Sequence, residues 1–235
     1  ELENMEIGSC NICQGMGAVH PLNAYGKVDY SSTVPCKCRS AQYKKEQNER
    51  YLKFCRLPDA SDGLTLEAFQ TLGNATLELA KRYAERLADG SENVKWLTLI
   101  GVAGCGKTHL AVGICRRWIT ASKVARYSFV PLLLKELRDG YELMGEASYR
   151  SRFDALCQVP LLILDDLGVE KSTEWAQEQL QTLIHYRGFY GLPLVVTTNH
   201  PLNRLNGDNE ERIASRLKRE LWCKVVTITA PEYKK

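Results

Sequence analysis

Residues 101–108 read GVAGCGKT, and no other stretch restricts the possible folds of this chain so strongly. They fit G-x-x-x-x-G-K-[ST] with the flanks that motif needs. WLTLI at 96–100 enters as a short buried strand, and KTHLAVGICRRWI leaves as a helix. The glycines let the backbone curl so that successive N–H groups point at phosphate oxygens, and the helix N-terminus adds a positive dipole end. Ala103, Gly104, Cys105, Gly106, Lys107, Thr108 and His109 are therefore expected to line an ATP site. Lys107 would reach the β- and γ-phosphates, and Thr108 would place its hydroxyl on Mg²⁺.

The rest of the chain agrees with a layered α/β fold. From about residue 57, helix-like and strand-like stretches alternate: helix 74–88, strand 96–100, helix 107–121, strand 124–130, helical residues 132–157, strand 161–165, helix 173–187, strand 193–198, helix 209–221 and strand 224–229. Near-continuous apolar strands separated by helices predict a parallel sheet covered on both faces. The expected organisation is a small Cys-rich module at 1–40, a polar helical connector at 41–56 and the α/β domain at 57–235.

Three further segments bear on chemistry. LLILDD at 161–166 is a buried strand ending in two carboxylates, and a buried strand tolerates acids only at its end. Asp165 is expected to hold Mg²⁺ through its water shell and Asp166 to orient or deprotonate the attacking water; the competing reading is a helix N-cap pair. LVVTTNH at 194–200 ends in Asn199, whose amide can sit between the γ-phosphate and that water, although such an end also suits an ordinary turn. ERIASRLKREL at 210–220 puts Arg212 and Arg216 one turn apart on one helix face, as a solvated basic face or a phosphate-seeking finger.

The nine cysteines divide into two sets. Cys10, Cys13, Cys36 and Cys38 give C-x₂-C-x₂₂-C-x-C, which can bring four thiolates to a tetrahedron around Zn²⁺. Glycines after Cys13 permit the turn in which N–H groups donate to ligand sulfurs, and His20 is an alternative ligand. With four ligands such a site is closed, hence a fold staple and not a catalytic metal. The other five are scattered singly through core-like segments and read as small buried hydrophobes. An odd count with no basic-then-apolar opening segment argues for a reducing, cytoplasmic setting. Apolar runs are far shorter than the roughly 18–20 residues of a membrane span, so no membrane partner is expected.

GVAGCGKTHLA, LLILDDLG, HYRGFYGLPLVVTTNH and ERIASRL together resemble the motif series of the AAA+ ATPases of the DnaC/DnaI helicase-loader and IstB transposition-helper group, over about residues 57–230. The resemblance implies a P-loop AAA+ three-layer fold with a central parallel sheet. It assigns Lys107 and Thr108 to Walker A, Asp165 and Asp166 to Walker B, Asn199 to sensor 1 and Arg216 to the arginine-finger box. Asp-Asp stands where most AAA+ proteins have Asp-Glu, though this group commonly uses Asp-Asp, and the shorter acid leaves the hydrolysis rate open. The sequence runs out at about strand 224–229, so no C-terminal lid is expected and hydrolysis by a monomer should be weak, stimulated by assembly and DNA. DnaI-type loaders carry an N-terminal zinc module, a feature that tilts the reading toward them.

The expected function is an ATP-dependent loader of a hexameric replicative helicase onto single-stranded DNA, self-assembling with ATP. An IstB-like ATPase that selects target DNA for a transposase is the alternative. A net charge of +3 is too mild to prove nucleic-acid binding. Basic residues near Arg116, Arg126, Lys135, Arg138, Arg150 and Arg152 are mixed with acids, and Tyr127, Tyr141, Tyr149 and Phe153 are interleaved with them. Such surfaces suit single-strand stacking, and in the resembled group residues 131–157 match the region lining the DNA channel.

Overall fold

The computed structural model describes residues 10–168, 173–202, 208–219 and 221–233, with backbone alone at 146 and 208–212. The chain divides into two compact units, Glu1–Arg50 and Tyr51–Lys235. The division falls inside helix α1 (Ser40–Cys55), a mostly polar helix in which only Cys55 is buried.

In the first unit a two-residue strand β1 (Ala18–Val19) pairs antiparallel with β2 (Val34–Pro35), Val19 opposite Val34. Its buried apolar cluster is Cys10, Cys13 and Cys36, with Val19 packed on them. Ile12, Met16, Leu22, Tyr25 and Tyr30 are exposed. So little burial does not hold a fold of this size without a cross-link or a metal.

The second unit is built on five strands: β3 (Trp96–Ile100), β4 (Ala125–Phe129), β5 (Leu161–Asp165), β6 (Leu194–Thr198) and β7 (Cys223–Thr227). They lie in the order β4-β5-β6-β3-β7, every neighbouring pair parallel. The three inner strands β3, β5 and β6 are buried along their whole length, and the edge strand β7 is largely not. The period of two in a strand sends alternate residues to opposite faces. Leu97, Leu99, Ile163 and Val195 meet α2 (Ala75–Ala88) and α3 (Lys107–Thr120) through Leu77, Ala80, Leu110 and Ile114. On the other face Trp96, Leu162, Leu164 and Val196 meet α4 (Val130–Asp139), α5 (Tyr149–Gln158), α6 (Glu174–Phe189) and α7 (Asp208–Arg219). Each leucine so enclosed contributes about 1.5–3 kcal/mol.

The helical residues expected at 132–157 divide into two helices, α4 and α5, joined by short 3-10 turns at Gly140–Glu142 and Gly145–Ala147. At Gly140 an added Cβ would stand 2.8 Å from the Tyr149 backbone nitrogen, so only glycine lets the second helix fold back so closely.

The buried guanidinium of Arg187 on α6 ties several segments together. Its Nη1 donates to the carbonyls of Leu156, Cys157 and Val159 at 3.1, 3.2 and 2.9 Å, and Nη2 donates to Pro193 at 2.5 Å. These include carbonyls that the end of α5 leaves without helical partners. Burial pushes the Arg187 pKa down to about 9. At the start of β3, the Trp96 ring meets Trp222 edge-on, centroids 5.5 Å apart, and its indole N–H donates to the Leu192 carbonyl at 2.8 Å.

Candidate functional site

The phosphate-type loop follows the C-terminal end of β3 and opens α3. Gly104 and Gly106 have φ of +73° and +100°, which a side chain would strain. A Cβ on Gly106 would stand 2.8 Å from the Phe69 ring, and one on Gly104 would stand 2.5 Å from Glu232 Cγ. The loop is thus clasped by an upstream aromatic ring and a downstream acid. Its lysine folds back on it: Lys107 Nζ donates to the carbonyls of Gly101 and Val102 at 2.9 and 2.8 Å and is 6% exposed.

A cavity of about 1000 Å³ adjoins this loop. It is lined by Gly104, Cys105, Gly106, Lys107, Thr108 and His109, by apolar residues that include Leu64, Phe69 and Leu77, and by Ala230–Tyr233. Ala103 is exposed beside it. The His109 ring contacts the Thr65 carbonyl through Nε2 at 2.8 Å and meets Phe69 edge-on, so it braces the cavity wall.

The strand-end residues gather beside Thr108. Asp165, 3% exposed at the tip of β5, accepts from Thr108 Oγ1 at 3.1 Å, from Thr197 Oγ1 at 2.6 Å and from the Tyr127 hydroxyl at 2.5 Å. Burial and the neighbouring Asp165 charge push the Tyr127 pKa well above the ordinary phenol value, so this hydroxyl is a donor. Asp166 adopts φ +65°, and its carboxylate accepts from Asn199 Nδ2 at 2.9 Å. Asn199 Oδ1 is buried and has no hydrogen-bond partner among the described residues. Asp165, Asp166, Asn199 and Thr108 are therefore brought together. Tyr127, grouped by sequence with surface aromatics, is buried within this network instead: alternation along β4 turns it inward. The contacts of Thr197, Tyr127 and Phe69 escape sequence reasoning because they span 32, 38 and about 40 residues.

The donor set suits Mg²⁺: a hydroxyl and carboxylates are hard oxygen ligands. The partnerless Asn199 oxygen is an acceptor and suits a donor such as a water molecule, and the left-handed backbone at Gly104 and Gly106 lets the loop's N–H groups turn toward an anionic, phosphate-bearing ligand.

Arg216 stands elsewhere. It lines a small cleft with Trp96, His185, Phe189, Arg219 and Trp222, at the start of β3 rather than at the loop after its end. Arg212 lies outside the residues whose side chains are described. Several other cations are engaged within the chain. Arg116 pairs with Asp62 at 3.0 Å, Arg117 with Asp89 at 2.8 Å, and Arg126 donates to the Phe54 carbonyl at 3.0 Å. Around α5 the rings of Tyr141 and Tyr149 stack 4.4 Å apart, Phe153 stacks on Tyr149, and Arg138 lies 5.0 Å from the Trp175 ring.

In the first unit the sulfurs of Cys10, Cys13, Cys36 and Cys38 all lie within 4.8 Å of one another. Cys10 to Cys36 is 3.7 Å and Cys13 to Cys38 is 3.5 Å. A tetrahedron of Zn–S bonds about 2.3 Å long has sulfur–sulfur edges of about 3.8 Å, so the four thiols fit zinc. The Gly17 N–H donates to Cys13 Sγ at 3.3 Å, and the N–H groups of Cys13 and Ile12 pull Cys10 down to about 6. His20 is not a fifth member: its ring contacts the Ser32 carbonyl and Tyr30. Cys55, Cys105, Cys115 and Cys157 are buried and Cys223 half-buried.

Comparison with known proteins gives a family and a fold. The model of the IstB-like ATP binding protein family matches residues 39–234. The replicative helicase loader DnaI of Bacillus subtilis (strain 168) is 24% identical over 194 residues, covering 78% of this chain and 61% of that protein. The replicative helicase loader DnaC of Escherichia coli (strain K12) is 25% identical over 148 residues, covering 62% of this chain and 59% of that protein. The chain therefore spans about three fifths of the length of the curated relatives it matches. A crystal structure of DnaI superposes with a TM-score of 0.62 at 27% identity, covering 75% of this chain and 94% of that one. The parallel five-stranded sheet with helices on both faces is thus an AAA+ α/β fold.

Proposed function

The chain belongs to the IstB-like ATP-binding protein family, and on that premise we propose that it hydrolyses ATP to load a hexameric replicative helicase onto single-stranded DNA. The observation that carries the loader reading is the four-thiol cluster ahead of an ATP-binding domain similar to DnaI. The family match itself favours the second reading, an ATPase that selects target DNA for a transposase.

In the proposed reaction the N–H groups of residues 103–109 cradle the phosphates, and Lys107 exchanges its two loop carbonyls for phosphate oxygens. Thr108 would hold Mg²⁺ through its hydroxyl and Asp165 would hold it through the ion's water shell, and the ion would supply neutralisation of the charge that builds on the transferred phosphoryl group. Asp166 orients and deprotonates the attacking water, and Asn199, within reach of Asp166, positions it. The nucleoside lies in the cavity between the Leu64–Leu77 segment and Ala230–Tyr233. Arg216, far from its own loop, reaches the γ-phosphate of a neighbouring copy in an ATP-dependent assembly. The stacked rings around α5, with Arg138 and Arg150, supply a surface for single-stranded DNA.

Co-elution with a hexameric replicative helicase, with and without ATP, tests the reading. The wild-type chain should co-elute in a nucleotide-dependent manner, and Lys107→Ala should lose ATP binding and that dependence together. Co-elution with a transposase and not with the helicase overturns the loader in favour of the second reading.

A further inference from the structure

Three hydroxyls converge on Asp165, and they differ in setting. Tyr127 on β4 and Thr197 on β6 flank Asp165 on β5 and are 6% and 1% exposed. Their bonds are 2.5 Å to Oδ2 and 2.6 Å to Oδ1, one on each carboxylate oxygen. Thr108 is exposed at the start of α3, and its contacts are longer, 3.1 and 3.4 Å. Two hydroxyls are thus anchors built into the sheet, and the third is at the edge, able to leave the carboxylate.

Thr197 does more than hold one oxygen. Its Oγ1 accepts from the Asp166 N–H at 2.9 Å, and its carbonyl accepts from the Leu167 N–H at 2.8 Å. Asp166 has a left-handed backbone, φ +65°, which a residue with a side chain holds only with outside support. One threonine therefore fixes the carboxylate of the first acid and the backbone of the second.

Resting on the ATP–Mg²⁺ reading above, we propose that Tyr127 and Thr197 are positioning residues of the hydrolytic site. They fix both oxygens of Asp165 so that Thr108 can give up its place to the metal without the carboxylate turning, and Thr197 also sets the aim of Asp166. Neither touches the substrate.

The test compares Tyr127→Phe, Thr197→Val and Thr197→Ser with the wild type in the full chain. ATP affinity with and without Mg²⁺ is read with a fluorescent ATP analogue, beside turnover and thermal melting. Thr197→Val should keep its metal-free affinity, lose the gain that Mg²⁺ gives, and turn over more slowly by on the order of tenfold to a hundredfold, the scale of a hydrogen bond to a charged group. Tyr127→Phe should move the same way but less, because it leaves the Asp166 backbone held. Thr197→Ser, which keeps the hydroxyl, should restore both readouts. Wild-type Mg²⁺ dependence in Tyr127→Phe and Thr197→Val, or a Thr197→Ser as impaired as Thr197→Val, overturns the inference alone. A wild-type chain whose ATP affinity ignores Mg²⁺ overturns the metal reading and this inference with it. If Thr197→Val does not melt cooperatively, Tyr127→Phe, which removes a single oxygen, decides.

Discussion

In residues 10–50 the deepest apolar side chains are Cys10, Cys13 and Cys36, whereas in residues 51–235 they are Trp96, Leu97, Leu99, Leu162 and their neighbours on both faces of a sheet. The first set encloses almost no hydrocarbon and leaves Ile12, Met16, Tyr25 and Tyr30 exposed. The second encloses two continuous apolar layers. With zinc on the four clustered thiols, as expected from their spacing, shape in the first unit would follow from bonding between sulfur and a metal, which is all or none. Shape in the second follows from area removed from water, which is lost in increments. One chain would thus carry two kinds of dependence, one on metal supply and thiol chemistry, the other on temperature and packing.

The largest effect that separates the two should come from the metal. One Zn²⁺ per chain is expected, and structural sites of this type are worth about 10–16 kcal/mol at neutral pH. A strong chelator, or Cys36→Ser, should erase hydrogen-exchange protection in residues 10–39 while ATP affinity stays unchanged. Zinc-free protein with those amides still protected would break the comparison.

A smaller effect should fall on the other side. Leu97→Ala, in the inner strand β3 between β6 and β7, opens a cavity in a layer where Leu97 is 0% exposed. The expected loss is about 2–5 kcal/mol by denaturant titration, with zinc content unaltered. Loss of zinc together with that stability would show that the units do not fail separately.

Smallest is a helix end. Asn74 Oδ1 accepts from the Thr76 and Leu77 N–H groups and so caps α2. Asn74→Ala should cost about 1 kcal/mol, read as a small shift of the same denaturation midpoint. It sharpens the comparison by grading the second unit, which should lose stability in steps while the first keeps its metal.

The inner strands and the loop were legible because their signals are local. Trp96–Ile100 and Leu161–Asp165 are apolar runs bounded by a glycine loop and by acids, and the sheet adds nothing that those runs do not already announce. Asp165, Asp166 and Asn199 were legible for the same reason: each ends a run. The break between α4 and α5 was not, because it depends on Gly140 meeting Tyr149, a contact made only after folding. Tyr127 is instructive in the same way. Its sequence neighbours Arg126 and Ser128 suggest a mixed surface, and only the pairing of β4 with β5 turns its ring toward Asp165. The expected ligation by Cys10, Cys13, Cys36 and Cys38 needed spacing alone, whereas the exclusion of His20 needed its contact with Ser32.

The edge-on contact of Trp96 with Trp222 has an optical consequence. All four tryptophans, 96, 118, 175 and 222, lie in the second unit, and the first carries only tyrosines among its fluorophores. Indole emission therefore reports residues 51–235 and is silent about the thiol cluster. Two indoles 5.5 Å apart at 75° share their excited states, so their ultraviolet circular dichroism should show a paired positive and negative band. That pair of bands should vanish when β7 parts from β3, before the sheet as a whole is lost, because β7 is its edge.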